Sequence, residues 1–146
     1  MLFVASDHAG FKLKSLLLQH FMSVGIECND LGPASDEAMD YPDMASLLCK
    51  SVKELEDSKG ILICGSGIGM SIAANRYEGI RAALCLNPYM ASLARQHNNA
   101  NVLCLGSRLL GEELAVAIAD SFLSCGFEEG RHRLRIEKLD NAKKLK

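Results

Sequence analysis

The chain has 146 residues, 49 % of them hydrophobic and 23 % charged, which gives a single domain ample material for a packed core. Its formal net charge of −2 argues against a nucleic-acid-binding protein, because that function needs a broad cationic surface. Its apolar runs are shorter than the roughly 18 residues that cross a bilayer, and its first residues do not form an export signal. We therefore expect a cytoplasmic protein that binds neither membranes nor nucleic acid.

Six cysteines are spread evenly along the chain, mostly inside apolar runs. Without an export signal, this distribution favours reduced thiols over disulfides. The sequence contains no C-x-x-C or H-x-x-x-H pair, and its four histidines are far apart. We therefore predict that the protein holds no metal ion.

Five short apolar runs, typical of parallel strands that are covered on both faces, alternate with helical patterns. The runs are residues 2–6, 26–31, 60–64, 81–86 and 102–106. The first helical pattern places Leu13, Leu17 and Phe21 on one stripe. Lys12 and Lys14 lie on the other side, and a glycine at position 25 ends the pattern.

The later helical patterns begin and end at equally clear signals. The second begins at residues 40–42, Asp-Tyr-Pro, where the proline suits a first turn. A short third pattern follows the glycines after Cys64. The fourth begins at residues 87–88, Asn-Pro, and carries His97 on its apolar stripe, and the fifth ends at Gly126.

The alternation of strands and helices predicts the α/β class, with a single doubly wound, Rossmann- or flavodoxin-like domain over residues 1–146. Its core is a five-stranded parallel sheet with helices on both faces. Residues 127–146 leave this core as a basic tail. We expect this tail to be a C-terminal helical extension that packs on a partner subunit.

For the strand order 2-1-3-4-5, the ligand crevice lies between the first and third strands, beyond their carboxyl ends. Asp7 and His8 follow the first strand, and residues 64–69, Cys-Gly-Ser-Gly-Ile-Gly, follow the third. This order therefore predicts that the two segments face each other across one crevice.

Gly65, Gly67 and Gly69 let the backbone turn tightly and aim several N–H groups at one point beside a helix N-terminus. This arrangement predicts an anion site, either for a phosphate or for the enediolate oxygen that develops when a proton leaves a carbon beside a carbonyl. Cys64 lies at the same point, where the thiolate is favoured and can act as a base. The alternative is an ordinary buried strand cysteine, and the glycines directly after Cys64 favour the base.

Other phosphate-binding loops do not fit the spacing. G-x-G-x-G departs from the dinucleotide motif G-x-G-x-x-G, and the lysine of G-x-x-x-x-G-K-[ST] is absent. A cysteine phosphatase loop would need arginine six positions after Cys64, where Met70 stands, and a receiver-type phospho-acceptor would be aspartate. We therefore predict no cofactor.

His97 lies near the end of the fourth helix, a position as typical of a core histidine as of a catalytic one. A helix that follows a strand runs back, so its end lies at the sheet edge opposite to Cys64. If His97 acts, it acts in a partner's site, and a two-fold dimer follows. Arg108 follows the fifth strand, and Arg131 and Arg135 lie one helical turn apart, so these arginines either bind a phosphate or are ordinary surface residues.

Several segments together carry a resemblance to a known family. They are residues 6–11, 40–42, 60–69, 71–75, 79–82, 94–98, 101–103, 106–108 and 130–132. In these segments the chain resembles the type-B ribose-5-phosphate isomerases, a family that includes galactose-6-phosphate and allose-6-phosphate isomerases. The match runs almost from end to end.

The resemblance implies reversible conversion of ribose 5-phosphate to ribulose 5-phosphate through an enediolate, in the pentose phosphate pathway. It implies that Cys64 moves the proton between C1 and C2, that His97 assists ring opening and that Ser66 moves protons on the substrate oxygens. The N–H groups of residues 65–69 would stabilise the enediolate. The implied contacts to sugar hydroxyls are Asp7, Asp40, Tyr41 and Asn98, and the implied phosphate contacts are His8, Arg108, Arg131 and Arg135. Homodimers or tetramers with shared sites are also implied.

Two alternatives stay open. The same chemistry could act on a hexose 6-phosphate, such as allose or galactose 6-phosphate. A flavodoxin-like module could instead bind a phosphorylated ligand without turnover, although a binding module has no need for a thiol beside an anion site.

Overall fold

A computed structural model describes residues 1–142, within which the chain forms five strands and six helices. The strands are β1 (Leu2–Ser6), β2 (Cys28–Asp30), β3 (Lys59–Cys64), β4 (Ala82–Leu84) and β5 (Val102–Gly106). The helices are α1 (Phe11–Ser23), α2 (Tyr41–Glu54), α3 (Ile68–Ala74), α4 (Pro88–Asn98), α5 (Glu112–Ser124) and α6 (Arg131–Asp140). All four strand pairs are parallel, which confirms the predicted α/β class, and α6 confirms the helical extension. The end of the predicted tail, residues 143–146, lies outside the described residues.

The strand order is β2-β1-β3-β5-β4, so the predicted order 2-1-3-4-5 is wrong. The burial of the strands explains the difference. Every residue of β5 is buried, as an interior strand requires, whereas β4 is only partly buried and pairs with β5 alone. The fifth strand therefore lies beside β3, and β4 forms the edge of the sheet.

The helices cover both faces of the sheet. One apolar cluster joins α1, α4 and α5 to the strand side chains of Val4, Ile63 and Leu105. The second joins α2 and α3 to alternate strand residues, among them Leu62 and Cys64. This alternation follows from the two-residue period of a strand, and it places Cys64 on the face that α2 and α3 cover.

Three strands end together at one edge, which we call the carboxyl edge. In the sheet register Ser6 is paired with Ile63, and Cys64 is paired with Gly106. The loops that follow β1, β3 and β5 therefore leave the sheet side by side. We call the opposite edge the amino edge; α4 begins after β4 at the carboxyl edge and ends before β5 at the amino edge.

Lys14 departs from the solvent-exposed position that the helical pattern predicts. Its side chain is almost completely buried, and its Nζ donates to Asp30 Oδ1 at 2.6 Å and to the carbonyl of Pro33 at 2.8 Å. A buried ammonium is tolerated because it has both an ionic and a hydrogen-bonding partner. Among residues 1–142, no helix combines the length and apolar character that membrane crossing requires.

Candidate active site

Cys64 ends β3 at the carboxyl edge, and its side chain is 5 % exposed. The main-chain N–H of Gly67 donates to Cys64 Sγ with an N–S distance of 3.1 Å. Gly67 has a φ of +74°, and a Cβ there would lie 2.5 Å from Leu84 Cδ1, so only glycine fits this turn. The turn thus aims a backbone donor at the sulfur of Cys64.

The loop after β5 fixes the loop after β3. Ser107 N donates to the carbonyl of Cys64 at 2.9 Å, and Arg108 N donates to the carbonyl of Gly65 at 3.0 Å. Ser107 Oγ also donates to the carbonyl of Ala9 at 2.8 Å, which ties in the loop after β1. These contacts depend on β5 lying next to β3. Ser107 was not among the predicted site residues, although its place directly after a fully apolar strand is a signal that could have identified it.

A pocket of about 370 Å³ opens between these loops. Its lining residues are Asp7, His8, Ala9, Tyr41, Cys64, Gly65, Ser66, Gly69, Arg108 and Leu109. All but Ala9 and Leu109 are residues that the sequence singled out. The structure therefore brings together the predicted base, most of the glycine loop and one of the three predicted arginines.

The pocket walls carry polar groups of both charge types. Asp7 Oδ1 accepts the N–H of Gly10 at 2.9 Å, which fixes the carboxylate at the start of α1. His8 Nδ1 lies 3.3 Å from both the amide nitrogen and the carbonyl oxygen of Met39. The Arg108 guanidinium lies over Gly65, where a Cβ would be 3.2 Å from its central carbon.

Tyr41 lines the other wall of the pocket at the start of α2, whereas the predicted residue Asp40 is not among the lining residues. The Tyr41 ring lies against Gly69, where a Cβ would approach the ring to 2.9 Å. Asp40 is the exposed N-cap residue of α2 and directly precedes Tyr41. Gly67 lies behind the lining residues, where it caps α3.

Three other cysteines are ordinary core thiols and provide a comparison for Cys64. Burial raises the pKa of Cys49 to about 12 and that of Cys85 to about 11. Burial, together with the neighbouring thiols, holds the pKa of Cys104 well above its usual value. These thiols are neutral at physiological pH, whereas Cys64 lines a pocket and receives a backbone N–H.

Four predicted residues lie away from this pocket, at the amino edge. His97 and Asn98 end α4, and Arg131 and Arg135 lie on α6, which packs beside α4. Arg131 and Arg135 are exposed, and His97 is partly exposed. The structure therefore confirms that His97 lies opposite to Cys64 in the same chain.

Comparison with known proteins connects this geometry to a family. A sequence profile described as Ribose/Galactose Isomerase matches residues 2–139, nearly the whole chain. The chain belongs to the ribose/galactose isomerase family.

Individual members of the family are similar over almost their full lengths. A ribose-5-phosphate isomerase B of Escherichia coli is 50 % identical over 131 residues, which cover 90 % of this chain and 88 % of that protein. A ribose 5-phosphate isomerase of Thermotoga maritima is 55 % identical, with a TM-score of 0.93 over 96 % of this chain and 97 % of that one. The Mycoplasma genitalium ribose-5-phosphate isomerase B, solved with bound ribulose-5-phosphate, is 45 % identical, with a TM-score of 0.93 over 99 % and 97 % of the two chains.

In this member of the isomerase family, His97 at the end of α4 lies beside two side chains of the C-terminal segment, His132 and Glu128. The imidazole rings of His97 and His132 stack with centroids 4.3 Å apart and an interplanar angle of 8°. Glu128 Oε2 lies 3.9 Å from His97 Nε2. His132 and Glu128 were not among the predicted site residues, because their contact with His97 exists only once α6 packs on α4.

The same three side chains are the candidate for a metal ion, since their ligand atoms lie within 4.8 Å of one another. A metal ion lies close to the plane of each imidazole that binds it. Two nearly parallel rings 4.3 Å apart share no such point, so the stacked pair does not fit tetrahedral coordination. His97 and His132 form a ring stack and not a metal centre.

A larger cavity, of about 490 Å³, lies at the amino edge of this isomerase-family fold. Two of its cations, Arg81 and Arg95, already donate to main-chain carbonyls at the end of α4. Arg81 also pairs with Asp140 at 3.1 Å. These arginines satisfy the unpaired carbonyls of a helix end, so we assign them a structural role.

Proposed function

We propose that the protein interconverts ribose 5-phosphate and ribulose 5-phosphate. The observation that carries this proposal is Cys64, whose sulfur receives the Gly67 N–H at 3.1 Å on the wall of an open pocket. The names of its relatives in Escherichia coli and Mycoplasma genitalium support the same reaction. The family membership and the pocket together favour an aldose–ketose isomerase over a binding module.

In the proposed reaction the Cys64 thiolate removes the proton from C2 of the open-chain aldose. The electron pair moves toward C1, and the carbonyl oxygen becomes the negative oxygen of an enediolate. The thiol then returns the proton to C1, which gives the ketose and restores the thiolate. Ser66 moves the proton between the two oxygens, and the N–H groups of residues 65–69 stabilise the transient charge.

The remaining groups of the pocket bind the substrate. We assign the sugar hydroxyls to Asp7 and Tyr41, with Asp40 next to Tyr41 at the N-cap of α2, and the phosphate to His8 and Arg108. The exposed guanidinium of Arg108 suits a phosphate, since it offers several N–H donors in one plane.

We further propose that each site combines two subunits of a homodimer or tetramer. His97, Asn98, Arg131 and Arg135 of one subunit would then complete the carboxyl edge of another, with the tail from residue 127 packing on that partner. Exposed apolar side chains around the carboxyl edge support an interface there. They are Ile68, Ile72, Leu86, Tyr89, Met90 and Leu109.

The place of action that we propose is the cytoplasm. All six cysteines are free thiols and four of them are buried, as is typical of a protein in a reducing compartment. The hexose 6-phosphates of allose and galactose are the alternative substrates, in line with the family's description as ribose and galactose isomerases.

A turnover assay tests the proposal. The purified protein should convert ribose 5-phosphate with a kcat/KM above that for allose 6-phosphate and galactose 6-phosphate. In heavy water it should introduce deuterium at C2 of ribose 5-phosphate, and Cys64→Ala should lose at least about 1000-fold in both measurements. Tight binding of the sugar phosphates without deuterium incorporation would replace the proposal with a binding module.

A further inference from the structure

We propose that His132 is a positioning residue, whose ring holds the His97 imidazole in the orientation that opens the sugar ring. This inference rests on the proposed function, since it concerns the ring-opening step of the same reaction. It adds a residue of α6 that acts through His97 and that has no contact of its own with the reacting atoms.

The contact between the two rings is extensive. Their planes are within 8° of parallel and their centroids are 4.3 Å apart, so the face of His97 is covered by a flat aromatic surface. His132 is 7 % exposed, whereas the His97 side chain is 36 % exposed. The outer ring is thus free to reach a substrate, and the inner ring is its support.

The support is itself fixed to the fold at two points. Glu128 N donates to the carbonyl of Gln96 at 3.0 Å, which joins the start of the tail to α4 one residue before His97. At the other end of α6, Asp140 pairs with Arg81 at 3.1 Å, which ties the helix to the residue that precedes β4. His132 therefore presents its ring from a helix that is held at both ends.

The electrostatic surroundings suit a neutral support. Burial lowers the pKa of His132, and the nearby cationic groups of His97, Arg131 and Arg135 lower it further, against an opposing effect of Glu128. The Glu128 carboxylate lies 3.9 Å from His97 Nε2, which gives the His97 ring a second neighbour beside the stacked face.

Ring opening is the step that needs this orientation. Ribose 5-phosphate is a furanose, and opening it breaks the C1–O4 bond while O4 gains a proton and the C1 hydroxyl loses one. A proton donor must therefore point at one ring oxygen. Ribulose 5-phosphate has its O5 esterified and stays open-chain, so removal of its C1 proton by Cys64 does not involve His97.

Because only ribose 5-phosphate needs ring opening, a comparison of the two substrates distinguishes a positioning role of His132 from a general loss of folding or binding. In heavy water, we would measure the kcat and KM for isomerisation of ribose 5-phosphate, and the rate at which ribulose 5-phosphate gains deuterium at C1. His132→Ala should lower the kcat for ribose 5-phosphate by about 10- to 100-fold, because a displaced donor loses that much. Deuterium entry into ribulose 5-phosphate should stay within about twofold of the wild type, which also shows that the variant folds and binds substrate.

Two further variants complete the experiment. His132→Phe keeps a flat ring beneath His97 and should recover the kcat to within about threefold of the wild type. His20→Ala removes a histidine that pairs with Asp120 at 2.8 Å between α1 and α5, and it should change neither rate.

The possible outcomes distinguish a failure of the positioning role from a failure of the proposed function. An unchanged kcat in His132→Ala, an equal loss in both reactions, or a His132→Phe variant as slow as His132→Ala would each overturn the positioning role while the proposed function stands. A wild-type protein that catalyses neither reaction would overturn the proposed function and this inference with it.

Discussion

The two edges of the sheet carry complementary sets of chemical groups. The carboxyl edge holds the Cys64 thiol, the glycine loop and the carboxylate of Asp7 around one pocket. The amino edge holds the stacked His97 and two exposed arginines of α6. Since α4 has 11 residues, it separates its ends by about 16 Å, so a single chain cannot join the two sets. This separation supports our proposal that each edge is half of a site and that a second subunit supplies the other half.

The largest expected effect is a recovery of activity when two inactive variants, one altered at each edge, are mixed. Cys64→Ser should disable the carboxyl edge and His97→Ala should impair the amino edge, each with most of the ribose 5-phosphate activity lost. When the two are unfolded and refolded together in equal amounts, half of the dimers are mixed and each has one intact site. The recovered activity should therefore be about a quarter of that of the wild type.

Each variant refolded alone is the control for this mixture. If the mixture stays as inactive as its components while mixed oligomers are present, each subunit holds a complete site and the comparison fails.

Alkylation of thiols tests whether Cys64, at the carboxyl edge, is more reactive than the cysteines of the core. At pH 8, a pKa of about 11 for Cys85 and about 12 for Cys49 leaves at most about one thiol in a thousand ionised at either position. Iodoacetamide should therefore modify Cys64 at least about 100-fold faster than these two cysteines. Peptide mass spectrometry over time measures the rates.

Ribulose 5-phosphate should protect Cys64 and leave the modification of Cys28 and Cys125 unchanged, since these two are partly exposed elsewhere. Equal labelling of Cys64 and Cys85 would show that Cys64 is a core thiol.

Removal of one arginine tests the amino edge. Arg131→Ala should raise the KM for ribose 5-phosphate by about tenfold or more with little change in kcat, because a charge-assisted contact to phosphate is lost. Arg133→Ala is the matched control on the same helix, since Arg133 is exposed and pairs with Glu129 at 2.8 Å. Its KM should change by less than about twofold. Steady-state kinetics decide, and equal effects of the two substitutions would remove the amino edge from the site.

Much of the fold was readable from local patterns. The five runs of apolar residues became five parallel strands, and residues such as Asp40 and Asn87 marked helix starts correctly. The order of the last two strands could not be predicted in this way, because it depends on which of the two is buried in the interior of the sheet and which forms its edge. A signal was present in the unbroken apolar run of β5, compared with the Arg81 that precedes β4.

The residues of the candidate site also divide into those that a local motif predicts and those that depend on contacts between distant segments. Cys64 and the glycine loop form one continuous motif, so the sequence alone located the carboxyl edge. Lys14 was misplaced because its partners, Asp30 and Pro33, come from another part of the chain. His132 was overlooked for the same reason, since its stack with His97 joins two helices that are distant in sequence. Local spacing predicts what a loop can do, and it does not predict which distant helix supports it.

The smallest expected effect concerns the hydroxyl of Ser66 within the carboxyl edge. Ser66 Oγ accepts the N–H of Ile68 at 3.3 Å, and a Cβ at Gly106 would lie 2.7 Å from the Ser66 main chain, so the position has little freedom. Ser66→Thr keeps the hydroxyl and should change the kcat by less than about twofold, whereas Ser66→Ala should lower it by about tenfold because proton transfer between the substrate oxygens is lost. If the alanine variant kept the wild-type kcat, the glycine N–H groups and the thiol alone would account for catalysis at the carboxyl edge. If threonine were as slow as alanine, the crowded main chain of this loop, and not the hydroxyl, would determine the rate.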